Sequence, residues 1–183
     1  MAELRRAPLD GVLPWSSADG SVALDELRFA RQIGVRRRLV NSAYFAGLPF
    51  PLEANRVAAM GAVRVLWLGP DEWLVTAPDG VAPELLPRLA RPASEAGAVV
   101  TDLSASRAVI AASRDRARTL LESGCGLDLH PRAFAPGDCA QTLLARVPVI
   151  LDQTSPAPAY RIFVRRSLAR WLAERLIDAA RFL

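Results

Sequence analysis

The chain has 183 residues, 51% of them hydrophobic, with two cysteines, one histidine and a net charge of +4. That length buries a core as a single domain, and so few cysteines exclude a disulfide framework. All 23 basic residues are arginine, which excludes covalent chemistry through lysine, whether a Schiff base or an attached flavin.

Residues 1–20 carry Pro8, Gly11, Pro14 and Gly20 with little periodicity, and predict an extended N-terminal arm with Trp15 as its anchor. Across 22–37 the apolar positions fall mostly two apart, which predicts one or two short strands. Residues 42–50 are small and apolar, and Pro49 and Pro51 stop any helix there. VRVLWL (63–68) predicts a strand, Gly69-Pro70-Asp71 a turn, and WLVTA (73–77) the second arm of a hairpin. A short helix follows over 84–91, interrupted by Pro87. GAVVTDL (97–103) and RAVIAA (107–112) predict a second hairpin around Ser104-Ala105-Ser106.

A helix over 114–123 comes next, with Ser113 as its N-cap and Gly124 as its stop. Residues 139–151 alternate as one long strand, placed at an edge or bulged by Pro148, which lacks an N–H. YRIFV (160–164) is a further strand, and Ser167 caps a closing helix over 168–182 with Leu168, Leu172 and Leu176 in one stripe. The order is that of split βαβ, ferredoxin-like elements: an α+β fold of mostly antiparallel sheet with helices packed on it. The domain expectation is an arm (1–20) and a single domain (21–183), with two small lobes, 21–95 and 96–183, as its alternative.

Groups that could carry chemistry are sparse. Cys125, His130 and Cys139 have a spacing outside the recurring zinc patterns, so structural thiols and a loop histidine are expected. A Cys–His nucleophile pair is the weaker alternative. No glycine-rich loop seats a dinucleotide and no GxxxxGK cradles a phosphate. Asp71, Glu72, Asp102 and Asp128 fall at turns and strand ends, where capping is their ordinary work. Trp67 and Trp73 read as core or interface before they read as a stacking platform. The arginines are spread among acids, with one tight run at Arg36-Arg37-Arg38, so no nucleic acid partner is expected. No run approaches the roughly 20 apolar residues of a membrane span. MAELRRAPLDG lacks the apolar core of a signal peptide, so the expected location is the cytoplasm, with no membrane partner.

LWLGPDEWLVTAP (66–78) and GCGLDLHPRAFAPGDCAQTLLARVPVIL (124–151) resemble the gamma subunits of heterotetrameric sarcosine oxidase, and ARQIGVRRR and GLPFPLEANR are similar to that family's N-terminal third. VVTDLSASRAVIAASRDRARTLLESGCGLDL resembles more widely the aminomethyltransferases, the T-proteins of glycine cleavage, with Asp102, Ser104, Leu120, Asp128 and Leu129 at matching places. At the turn where that wider family has an Asn-rich stretch and a downstream acid, this chain has Arg165, Arg166 and Ser167, which weighs against folate catalysis here.

The resemblance implies an aminomethyltransferase-like fold and a non-catalytic gamma subunit partnered by alpha, beta and delta subunits. The complex would demethylate sarcosine oxidatively to glycine and pass the one-carbon unit to tetrahydrofolate. No catalytic, cofactor or metal site is expected on this chain, and FAD, FMN, NAD and tetrahydrofolate are expected on the partners. Trp15, His130, Arg132 and Phe134 are the candidate partner-facing residues. A subunit of a related four-subunit amine dehydrogenase, such as one acting on N-methylglutamate, is the alternative of the same architecture. A stand-alone folate-binding or basic nucleic-acid-binding module is the alternative of another class.

Overall fold

The computed structural model describes residues 6–38 and 43–183; residue 42, where one of the apolar stretches begins, lies outside them. Two antiparallel sheets pack face to face, and each carries its helices on its outer face. The six-stranded sheet has the order β1 (Trp15–Ser16), β2 (Ala23–Glu26), β10 (Arg107–Ser113), β13 (Ala159–Arg165), β12 (Val147–Ser155), β11 (Cys139–Leu144). The five-stranded sheet has the order β6 (Val57–Met60), β7 (Val63–Gly69), β8 (Glu72–Ala77), β3 (Arg31–Arg37), β9 (Ala98–Asp102). A small hairpin of β4 (Tyr44–Phe45) and β5 (Leu48–Pro49) lies beside the second sheet's core. The α+β, mostly antiparallel expectation describes this molecule.

Strand alternation decides which side chains meet which layer. On β13, Tyr160, Ile162 and Val164 face the cluster they share with α2 (Ala117–Glu122) and α3 (Arg166–Ala180), while Phe163 faces the other sheet. In α3 the buried residues are Ala169, Leu172, Ala173, Leu176, Ile177 and Ala180, the three-and-four spacing of one helical face. Between the sheets, Leu66, Leu74, Val109, Cys139, Ile150 and Phe163 form a third cluster. Burying a side chain of the Leu or Phe class there stabilises the fold by about 1.5–3 kcal/mol. The outer face of the five-stranded sheet is covered by α1 (Leu85–Ala90), with Leu85 and Leu89 buried against it. Pro87 is tolerated because it stands in the first turn, whose N–H groups have no helical acceptor.

The hairpin over 63–77 and the strand near 160–164 form as expected. Three expectations are corrected. Residues 97–103 and 107–112 do not pair with each other: β9 extends the free edge of β3, while β10 lies between β2 and β13 in the other sheet. Their link is held across the sheets, with the Leu103 N–H donating to the Gln32 carbonyl (2.8 Å) and the Gln32 N–H to Ser104 Oγ (3.1 Å). The single long strand is two strands, β11 and β12, hairpinned through Ala145-Arg146 at φ 48° and 66°. Pro148 then sits at the start of β12, before its pairing with β13 begins at Val149, so it needs neither an edge nor a bulge. Neither helix start uses its serine: α2 is preceded by Arg116 and α3 by Arg165, with no side-chain cap bond at either.

Candidate partner interface

The connection between α2 and β11 is an irregular segment held by its own hydrogen bonds and by two buried side chains. Leu129 and Phe134 anchor it by burial in the helix-side core. Between those anchors the backbone turns on itself. The His130 N–H donates to Asp128 Oδ1 (2.9 Å), and the Ala133 and Phe134 N–H groups donate to the His130 carbonyl (2.8 and 2.9 Å). The Arg132 N–H donates to His130 Nδ1 (3.2 Å), which leaves the Nε2 side of an exposed ring turned to other partners. Arg132 is exposed as well.

The far end of this loop is tied to the five-stranded sheet. Asp138 accepts the Ala135 N–H at Oδ2 (2.8 Å) and pairs through Oδ1 with Arg56, whose other contact is Glu53 (3.4 Å). The Cys139 N–H donates to the Asn55 carbonyl (2.8 Å), and the Val57 N–H to that of Gly137 (2.8 Å). A cleft of about 310 Å³ runs between the two segments, lined by Asn55, Arg56, Leu127, Phe134 and Asp138 among others. The result is a fixed, polar-faced loop that presents His130 and Arg132 from a rigid base.

Of the four candidate residues, then, His130 and Arg132 stand together on the surface. Phe134 is 3% exposed and serves as the loop's internal anchor. Trp15 is half-buried on β1, opposite Leu24 and partly packed on the same core. Sequence patterning missed other exposed apolar groups, among them Tyr44 at 65%, Trp171 at 48% and Phe182 at 90%. Trp171 carried a signal, since it adjoins the Leu172 stripe of α3 without belonging to it.

The groups weighed for chemistry have structural engagements. Cys139 is fully buried, its thiol directed at the Trp67 and Arg56 carbonyls (3.4 and 3.5 Å), and burial pushes its pKa up to about 12, which disfavours the thiolate a nucleophile needs. Cys125 is half-buried, with Thr142 Oγ1 3.8 Å from its sulfur. Among the described residues no group of three His, Cys, Asp or Glu side chains is placed to hold a metal. Asp102 caps the link turn by accepting the Ser104 N–H (2.9 Å). Trp73 is buried, donates from Nε1 to the Pro51 carbonyl (2.8 Å) and meets Phe50 edge to face at 5.5 Å. The Arg37 guanidinium lies 5.3, 5.7 and 5.9 Å from the Phe45, Phe50 and Trp73 rings, so the middle of the arginine run is a core cation. Arg165, Arg166 and Ser167 line an open cavity of about 370 Å³ with Ser106 and Arg107.

Residues 39–181 match the family model described as sarcosine oxidase, gamma subunit family. The chain belongs to that family. It is 37% identical over 191 residues to a sarcosine oxidase subunit gamma of an Arthrobacter species, an overlap of 97% of this chain and 92% of the relative. It is also 37% identical to the sarcosine oxidase subunit gamma of Corynebacterium sp. strain P-1, over 96% of this chain and 90% of that one. Its structure superposes with a TM-score of 0.87 and 32% identity on a chain of the heterotetrameric sarcosine oxidase from Corynebacterium sp. U-96, solved in complex with pyrrole 2-carboxylate, covering 97% and 95% of the two chains. The glycine cleavage aminomethyltransferase of Bartonella henselae shares the fold, with a TM-score of 0.66 at 15% identity over 95% of this chain and 49% of the other. Gamma-family membership and the aminomethyltransferase-like fold are therefore the two findings that geometry and comparison give together. Among the described residues no helix is long and apolar enough to cross a membrane.

Proposed function

We propose that this chain is the gamma subunit of a heterotetrameric sarcosine oxidase, a complex that demethylates sarcosine oxidatively to glycine and passes the one-carbon unit to tetrahydrofolate. Its role in that complex is to dock against the alpha, beta and delta subunits, not to turn over substrate. FAD, FMN, NAD and tetrahydrofolate belong to the partner chains, and the assembly works in the cytoplasm. The observation that carries the reading is the full-length correspondence in fold, TM-score 0.87 across 97% of the chain, with a chain of a heterotetrameric sarcosine oxidase. The engagement of Cys139 as a buried thiol supports a chain whose reactive groups serve its own fold.

The exposed pair His130 and Arg132, on a loop stiffened from within and below, is the partner-facing element, with Trp15 as a second contact. Rigid presentation lowers the entropy lost on association, and Trp and Arg are among the residues that dominate binding energy. The test is co-expression with the flavin-bearing subunits followed by size-exclusion chromatography read at flavin wavelengths. The chain should elute with a yellow complex and be colourless by itself. Turnover of sarcosine by the isolated chain would overturn the non-catalytic role.

A further inference from the structure

A third cavity lies apart from the His130 loop, against residues of both sheets. It has a volume of about 260 Å³ and is walled by Leu27, Ala30, Pro78, Val109, Phe163 and Arg161. That space equals roughly nine waters at about 30 Å³ each, which suits a molecule of about ten non-hydrogen atoms and falls below the size of most drug-binding pockets.

Apart from Thr76 the wall is apolar except for its charged groups, and those are not equivalent. Glu26 accepts the Leu9 N–H (3.2 Å), and burial raises its pKa toward the neutral form. Arg28 is paired with Asp10 (2.8 Å), and Asp79 is exposed to solvent. Arg161 differs from all of these. It is half-buried on β13, on the side that carries Phe163, and among the described residues no side chain accepts a hydrogen bond from it or forms a close ion pair with it, the charge nearest in effect being that of Asp152. The carboxylate opposite it in register, Asp152, has both oxygens committed to Arg64, Oδ2 to Nε (2.8 Å) and Oδ1 to Nη2. One carboxylate thus serves two guanidiniums, and the Arg161 fork of five donors is held beside an apolar hollow with no hydrogen-bond acceptor. A half-buried cation of this kind is stabilised by a bidentate anion, and the surrounding aliphatic and aromatic walls favour an apolar body attached to that anion.

We propose that this cavity binds a small organic carboxylate, its carboxylate seated on the Arg161 guanidinium and its apolar body against Phe163, Val109 and Leu27. The inference does not depend on the docking role or on the partner subunits, because every group it uses lies in this chain.

Isothermal titration of the full-length chain with 3-phenylpropionate, 3-phenylpropanamide and inorganic phosphate separates the contributions. The carboxylate should bind saturably at one site, the amide of the same shape at least tenfold more weakly, and phosphate without measurable heat, since it lacks the apolar body. Arg161→Met should lower carboxylate affinity at least tenfold. Ala30→Leu fills the hollow while leaving the guanidinium in place, so it should abolish binding with an unchanged near-ultraviolet circular dichroism spectrum. The proposal is overturned if the folded chain shows no binding of 3-phenylpropionate, if the amide binds equally well, or if the folded Ala30→Leu chain binds as the wild type does.

Discussion

Cys139 stands where the two sheets meet, and its burial has a chemical consequence that the other cysteine lacks. With a thiol pKa moved from 9.0 to about 12, Cys139 stays protonated at pH 8, so native protein should yield at most the Cys125 thiol to an aromatic disulfide reagent and the second only after denaturation. Between about pH 9 and 12 the unfolded chain releases this proton and the folded chain keeps it, so the unfolded state binds fewer protons and stability falls as pH rises, by up to about 1.4 kcal/mol per unit from this group. A Cys139→Ala chain should lose that alkaline component in urea titrations from pH 8 to 11. Asp152 is the acidic counterpart: it is 0% exposed, burial holds its carboxyl above the usual range, and Arg64 at 15% exposure is its ion-pair partner. Asp152→Ala strands that guanidinium in the sheet interface and should cost about 3 kcal/mol, read as a lower urea midpoint, while Arg64→Met with Asp152→Leu should recover most of the loss. The structural reading of the cysteines was available from their apolar neighbours in sequence. The ion pair was not, because its members are 88 positions apart and each looks like an ordinary surface charge.

The Ala145-Arg146 turn sets the register of the β11–β12 hairpin, and both residues pay steric strain at positive φ that glycine and asparagine avoid. Replacing the pair, Ala145→Asn with Arg146→Gly, should raise stability by about 1 kcal/mol, seen as a higher urea midpoint with an unchanged slope. The same chemistry explains what could be read in advance. Gly69-Pro70-Asp71 announces its turn through residues with turn preferences, and the 63–77 hairpin was visible in sequence. Ala-Arg announces nothing, so an uninterrupted alternation from Cys139 to Leu151 looked like one strand. The 97–112 segment misled for a different reason. Neighbouring strands with a short link usually pair, but here the Leu103 and Ser104 contacts to Gln32 carry the chain from one sheet to the other, and that choice rests on tertiary partners. Helix α3 was legible because its stripe is periodic, and the serine cap expected for it does not form, because its start is met by other contacts such as the Arg166 N–H to the Ser106 carbonyl (3.1 Å).

At the scale of the whole molecule, two kinds of aromatic and basic residue must be told apart: those that hold the subunit together and those that hold it to its neighbours. On the proposed docking role, the loop between α2 and β11 contains both within a few residues. Phe134, 3% exposed, belongs to the first kind, so Phe134→Ala should cost about 3–5 kcal/mol of subunit stability. The Arg132 side chain is exposed and adds little to the isolated fold, so Arg132→Glu should leave the urea midpoint within about 0.5 kcal/mol of the parent. In the assembled oxidase the order reverses. Charge reversal at Arg132 places an anion where the loop offers a cation, and on the proposed docking role dissociation from the partner subunits should quicken at least tenfold, measured by surface plasmon resonance with the chain as analyte. The cavity near Arg161 supplies an internal control, because Ala30→Leu alters a lining that shares no residue with the loop and should leave that dissociation rate unchanged. A loop variant that docks as tightly as the parent would move the interface to the other exposed apolar groups, among them Tyr44, Trp171 on α3 and Phe182 beyond its end.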